Sequence, residues 1–158
     1  MHRPTLATLL TTALAALSAP VLAATGEEIV TTVCGACHLT DDQGRMSRID
    51  TSRRTPEGWE MNLVRMQRNY GVQLSDEEFV AVLRHLSDTR GLTVAETEGF
   101  RYILEREPLS VDEGPDTLMS QTCGRCHSYA RVALQRRTPE DWEKLLHFHL
   151  GQFPSLEY

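Results

Sequence analysis

Beyond Ala23 the chain has no apolar run long enough to span a bilayer, so a helical membrane domain is excluded for the rest of it. It has no surplus of positive charge: 16 Lys and Arg stand against 22 Asp and Glu, a formal charge of −6. An acidic surface argues against nucleic acid or anionic membrane as partner and fits docking to a protein with a complementary patch. No segment shows a convincing strand alternation, which makes the expected fold class all-α. Cysteine is also sparse. There are four, and every one belongs to one of two identical patterns.

Those patterns are Cys34-Gly35-Ala36-Cys37-His38 and Cys123-Gly124-Arg125-Cys126-His127. Cys-x-x-Cys-His reads as covalent c-type haem attachment. Two thiols three residues apart add across the two vinyl groups of one porphyrin, and the adjacent imidazole reaches the iron as proximal ligand. Cys34, Cys37 and His38, with Cys123, Cys126 and His127, thus predict two covalently bound haem c groups. Paired Cys-x-x-Cys can also supply four thiolates to zinc, or close a disulfide within each pair. The His repeated after both pairs favours haem over either.

The first residues suit that chemistry. Met1-His2-Arg3 is a short basic start, Leu6 to Leu17 is rich in Ala and Leu, and Val21-Leu22-Ala23 ends in small residues. This reads as a secretory signal peptide over 1–23, cleaved near Ala23, and predicts a periplasmic protein. A membrane anchor is the competing reading, but Thr5, Thr8, Thr11, Thr12, Ser18 and Pro20 interrupt a stretch already short for a span. Cleavage removes Arg3 and moves the charge from −6 to −7.

The chain also repeats itself. Arg53-Arg54-Thr55-Pro56-Glu57-Gly58-Trp59-Glu60 recurs 83 residues later as Arg136-Arg137-Thr138-Pro139-Glu140-Asp141-Trp142-Glu143, whereas the attachment motifs are 89 apart. The second copy has therefore lost six residues between attachment site and Arg-Arg-Thr-Pro-Glu. In both copies Thr caps a helix, Pro occupies its first position and an acid its first turn. Helical stretches are also expected over 26–33 and 114–122, before the two attachment motifs. Ser75-Asp76-Glu77-Glu78 predicts a capping box for a helix stopped by Gly91, and one more helix is expected over 94–107. The expected organisation is a tandem of small cytochrome c-like domains, 24–92 and 93–158. The second is expected to be incomplete at its C-terminal end, because 158 is the repeat equivalent of Ser75.

Each iron needs a sixth ligand, and the repeat offers candidates. Seven residues after each Trp, on the same helix face, stand Met66 and His149, which are repeat equivalents. The expected pairs are His38/Met66 and His127/His149. A thioether favours ferrous iron relative to an imidazole, so the first haem should have the higher potential. Met61 and His147 are the rivals; His147 lies five positions from Trp142, about 140° around the helix at about 100° per residue. Met46 and Met119 are further possible ligands. His85 reads as packing or surface, and His2 leaves with the signal. The duplicated Arg-Arg could pair with haem propionates or simply be solvated.

Cys-Gly-x-Cys-His followed by Arg-Arg-Thr-Pro-Glu-x-Trp-Glu, twice behind a signal peptide, resembles the N-terminal dihaem cytochrome c region of the quinohemoprotein amine dehydrogenase alpha subunit. The resemblance covers residues 24–158, including Met61 to Met66 and His147 to Pro154. It implies a periplasmic heterotrimer in which a small partner subunit, bearing cysteine tryptophylquinone, oxidises primary amines to aldehydes and ammonia. This chain would pass the electrons through its haems to a soluble copper protein or cytochrome and would hold no catalytic residue itself. In that family the alpha subunit continues into β-rich domains that this sequence does not contain.

Three functions compete. A dihaem electron-transfer subunit has saturated irons and no chemistry of its own. A dihaem cytochrome c peroxidase keeps one distal position open for hydrogen peroxide. A haem-based gas-binding or sensor module would let a gas displace Met66 or His149.

Overall fold

A computed structural model describes residues 23–101 and 115–153. The signal peptide expected over 1–23 therefore lies, apart from Ala23, outside the described residues. The chain is mostly helical: α1 Gly26–Thr32, α2 Pro56–Tyr70, α3 Asp76–Arg90, α4 Val94–Thr97, α5 Thr117–Gln121, α6 Ala130–Ala133 and α7 Pro139–Gln152. A 3-10 turn at Cys34–Ala36 and two short strands, β1 Ser52–Arg54 and β2 Gln135–Arg137, accompany them. No helix among the described residues is long and apolar enough to cross a membrane.

Side-chain caps set the helix starts. Thr55 and Thr138 accept from the amides of Gly58 and Asp141, with Pro at the first turn of α2 and of α7. Ser75 and Glu78 form the anticipated capping box of α3, and Thr25 with Glu28 form another at α1. α1 and α2 both pack on α3, enclosing Ile29, Val30, Met46, Ile49, Trp59, Leu63, Val82 and Leu86 in one apolar cluster. At the α1–α3 crossing Gly26 lies so close that a Cβ there would collide with the Ala81 carbonyl and come within 2.7 Å of the His85 Cβ. The buried Trp59 donates its indole N–H to the Arg90 carbonyl at 3.1 Å, tying α2 to the end of α3.

The all-α expectation holds for most of the described chain, with two departures. The duplicated Arg-Arg segments pair as an antiparallel ribbon: Ser52 with Arg137, Arg53 with Arg136, Arg54 with Gln135. Three charged and polar residues per strand show no apolar alternation, so periodicity could not reveal them. The helix expected over 94–107 is not continuous. α4 ends at Thr97, and Gly99 adopts φ 84°, a left-handed conformation that breaks the helix. Residues 102–107 of that expected helix lie outside the described residues.

The two halves bury apolar surface unequally. Among the described residues after 101, only Ala130 and Leu134 are buried hydrophobics. Leu63 on α2 is 6% exposed under α3, whereas its repeat equivalent Leu146 on α7 is 53% exposed. No described helix covers α7 as α3 covers α2.

Candidate haem sites

The first Cys-x-x-Cys-His begins where α1 ends. Cys34–Ala36 form a 3-10 turn in which the amides of Cys37 and His38 both donate to the Cys34 carbonyl, at 3.1 and 2.9 Å. Residues three apart eclipse one another in such a turn, so Cys34 and Cys37 lie on one side. Cys34 is half-buried against the apolar cluster, and burial pushes its thiol pKa up; Cys37 is exposed. In the second motif Cys123 is half-buried and Cys126 exposed, following α5 through a turn in which the Gly124 amide donates to the Met119 carbonyl at 2.9 Å. All four thiols are unbridged, and among the described residues no three His, Cys, Asp or Glu side chains converge as a metal cluster.

Three imidazoles are held in the same way. His38 Nδ1 lies 2.9 Å from the Ser47 carbonyl, His127 Nδ1 2.9 Å from the Ser128 carbonyl and His149 Nδ1 2.8 Å from the Leu145 carbonyl. A carbonyl only accepts, so each Nδ1 donates a proton, and it is Nε2 that can offer a lone pair to a metal. This is the outer-shell arrangement that orients a ligating His and raises its basicity. Nothing in the side-chain pattern announces these partners, because all three are backbone oxygens. Ser47 sits on the loop that is six residues shorter in the second copy, and there His127 uses its own neighbour instead.

The rival ligands separate by environment. His149 is half-buried, with the rings of Phe148 and Phe153 each 5.9 Å away, whereas the His147 side chain is 71% exposed with Nε2 3.8 Å from Glu143. Met66 is half-buried and stands outside the apolar cluster, Met61 is 46% exposed, and Met46 is 8% exposed within the cluster beside Gly35. Met119 is half-buried on α5. His85 is half-buried on α3, packed near Gly26 with its ring nitrogen 3.5 Å from Arg90.

The duplicated arginines divide into two kinds. Arg53 donates to the Gly91 carbonyl and, through both terminal nitrogens, to Glu96; Arg136 donates to the carbonyls of Ala133 and Gln135 and lies 3.7 Å from Glu96. Arg54 is buried and stacks over Trp59 at 5.6 Å, and Arg137 stacks over Trp142 at 5.7 Å. Both direct a nitrogen at the Gln135 side-chain oxygen, each at 2.8 Å. The Nε of Arg54 and the hydroxyl of Ser52 are buried without a partner among the described residues. Burial first, then the charges of Arg137 and Arg65, push the Arg54 pKa down to about 9, with Asp141 opposing.

The donor set fits haem: a thiol pair beside an imidazole with a free Nε2, twice, and an orphaned buried guanidinium N–H suited to a carboxylate. In agreement, the family model described as "Quinohemoprotein amine dehydrogenase A, alpha subunit, haem binding" matches residues 24–158. No curated protein matches the chain.

Proposed function

The chain belongs to the haem-binding family of the quinohemoprotein amine dehydrogenase alpha subunit, and from that premise we propose that it is a periplasmic dihaem c-type cytochrome serving as the electron-transfer subunit of such an enzyme. The family is a haem-binding part of an amine dehydrogenase, so other subunits are implied. In this reading Cys34, Cys37 and His38 hold one haem, and Cys123, Cys126 and His127 the other. Each bound haem supplies one-electron carriage between ferric and ferrous iron.

The observation that carries the reading is the shared state of His38, His127 and His149, each with Nδ1–H spent on a backbone carbonyl and Nε2 left to bind. His149 serves as distal ligand of the second haem, opposite His127. Met66, half-buried yet outside the apolar cluster, serves the first. Two saturated irons carry electrons and leave no position for peroxide or a gas. The quinone cofactor and the amine chemistry reside in a partner subunit, and a soluble copper protein or cytochrome takes the electrons onward. The two haem domains span 24–92 and 93–158, behind a signal peptide cleaved near Ala23.

Optical and electron paramagnetic resonance spectra of the haem-loaded protein, Met66→Ala and His149→Ala test the ligand scheme. A long-wavelength sulfur-to-iron band should vanish only in Met66→Ala, and a bis-imidazole low-spin signal only in His149→Ala. A five-coordinate haem in the unmutated protein would overturn the scheme and bring the peroxidase and sensor readings forward.

A further inference from the structure

The register of the β1–β2 ribbon maps onto itself under the repeat. With equivalent residues 83 apart, Arg53 faces its own counterpart Arg136, while Ser52 and Arg54 face the counterparts of each other. The ribbon therefore has a local two-fold axis through the Arg53–Arg136 pair. Side chains alternate across a strand, so Arg53 and Arg136 lie on one face and Ser52, Arg54, Gln135 and Arg137 on the other. The burial of β1 follows this alternation, with Ser52 and Arg54 buried and Arg53 exposed.

The first face is chemically complete, since Glu96 and backbone carbonyls absorb its two guanidinium groups. The second is not. Two guanidinium groups share a single neutral acceptor, the Gln135 oxygen, and neither has an ion-pair partner among the described residues. Two donors on that face, the Arg54 Nε and the Ser52 hydroxyl, are buried with no acceptor among the described residues. A buried donor left without an acceptor loses its hydration and gains nothing in return, so the arrangement calls for an acceptor. The charged groups acting there are Arg48, Arg65 and Asp141, and Asp141 is already engaged by the Thr51 hydroxyl at 2.5 Å and by Lys144. The balance remains positive.

We propose that Arg54 and Arg137, one from each repeat and each braced on its own Trp, form a single carboxylate site at the ribbon's two-fold axis that holds haem propionates from both modules. Arg54 supplies the unpaired Nε–H, Ser52 the hydroxyl, and Gln135 keeps the two like charges apart by accepting from both. The propionate-bearing edges of the two haems then meet at the junction, giving electrons a short path between modules. This inference rests on the haem-carrying role above.

Equilibrium redox titration of the haem-loaded protein tests it. Positive charge beside an ionised propionate favours the ferrous state, so Arg54→Gln and Arg137→Gln should each weaken reduction about tenfold, or about 59 mV for a one-electron couple. Freed of its cation, the propionate titrates in the ordinary range or above it. The potential of each variant should then fall as pH rises between about 5 and 8, more steeply than in the unmutated protein. Arg54→Lys, which keeps the charge and loses the fork, should fall between. Arg53→Gln, on the opposite face, is the control and should leave potentials in place; Arg137→Gln and Arg54→Lys give the reading if Arg54→Gln does not fold. Shifts no larger than the control, or confined to one of the two Gln variants, would overturn the shared site, as they would if the carboxylate came from another chain. A protein without attached haem would instead contradict the proposed function itself.

Discussion

At the residue scale, Glu96 anchors the outer face of the ribbon. The Arg53 guanidinium and then the Thr93 amide hold its carboxyl well below the usual range, at about 2 against 4.5. A carboxylate with a depressed folded pKa contributes stability that is fully present above its unfolded value and lost as pH falls toward its folded one. Melting temperature followed from about pH 5 to pH 2 should therefore decline less steeply in Glu96→Gln than in the unmutated protein; parallel profiles would show that the Arg53 contact adds nothing in solution. Single residues were the most legible level of the sequence. The capping residues Thr55, Ser75 and Thr138 could be read directly, because capping depends on residue type at fixed spacing. The carbonyls of Ser47, Ser128 and Leu145 could not, since every residue carries one.

At the scale of elements, equivalent helices have unequal surroundings. α2 lies under α3 and buries Leu63; α7 has no such cover among the described residues and leaves Leu146 largely exposed. Leu63→Ala should destabilise by about 2–5 kcal/mol in chemical denaturation, as truncation of a packed leucine does. Leu146→Ala, at the equivalent position, should stay within about 0.5 kcal/mol. Equal costs would mean that α7 is covered in solution. Most of the helices could be read from periodicity and caps, but the short α6 and the ribbon could not. Its strands are three residues long, and their pairing depends on segments far apart in sequence. The same ribbon decides which arginine of each Arg-Arg pair turns inward, a distinction invisible to the repeat alone. Gly99, with its left-handed conformation, interrupts the helix expected over 94–107.

At the scale of the whole molecule, the described second half buries only two hydrophobic side chains, while the first half has an eight-residue cluster. A small domain with so little apolar core needs another source of burial, and a porphyrin is a large apolar body. A haem held by the second motif would thus be structural as well as functional, and the two halves meet at a ribbon of arginines. The proposed role rests on one covalent haem per Cys-x-x-Cys-His motif. Intact mass of the protein exported to a haem-ligating periplasm, taken after denaturation, tests that most directly. The predicted result is a polypeptide starting near Ala24 plus two haems, reduced to one haem in Cys34→Ser/Cys37→Ser and in Cys123→Ser/Cys126→Ser. A mass equal to the polypeptide alone, or one haem in the unmutated protein, would contradict the account.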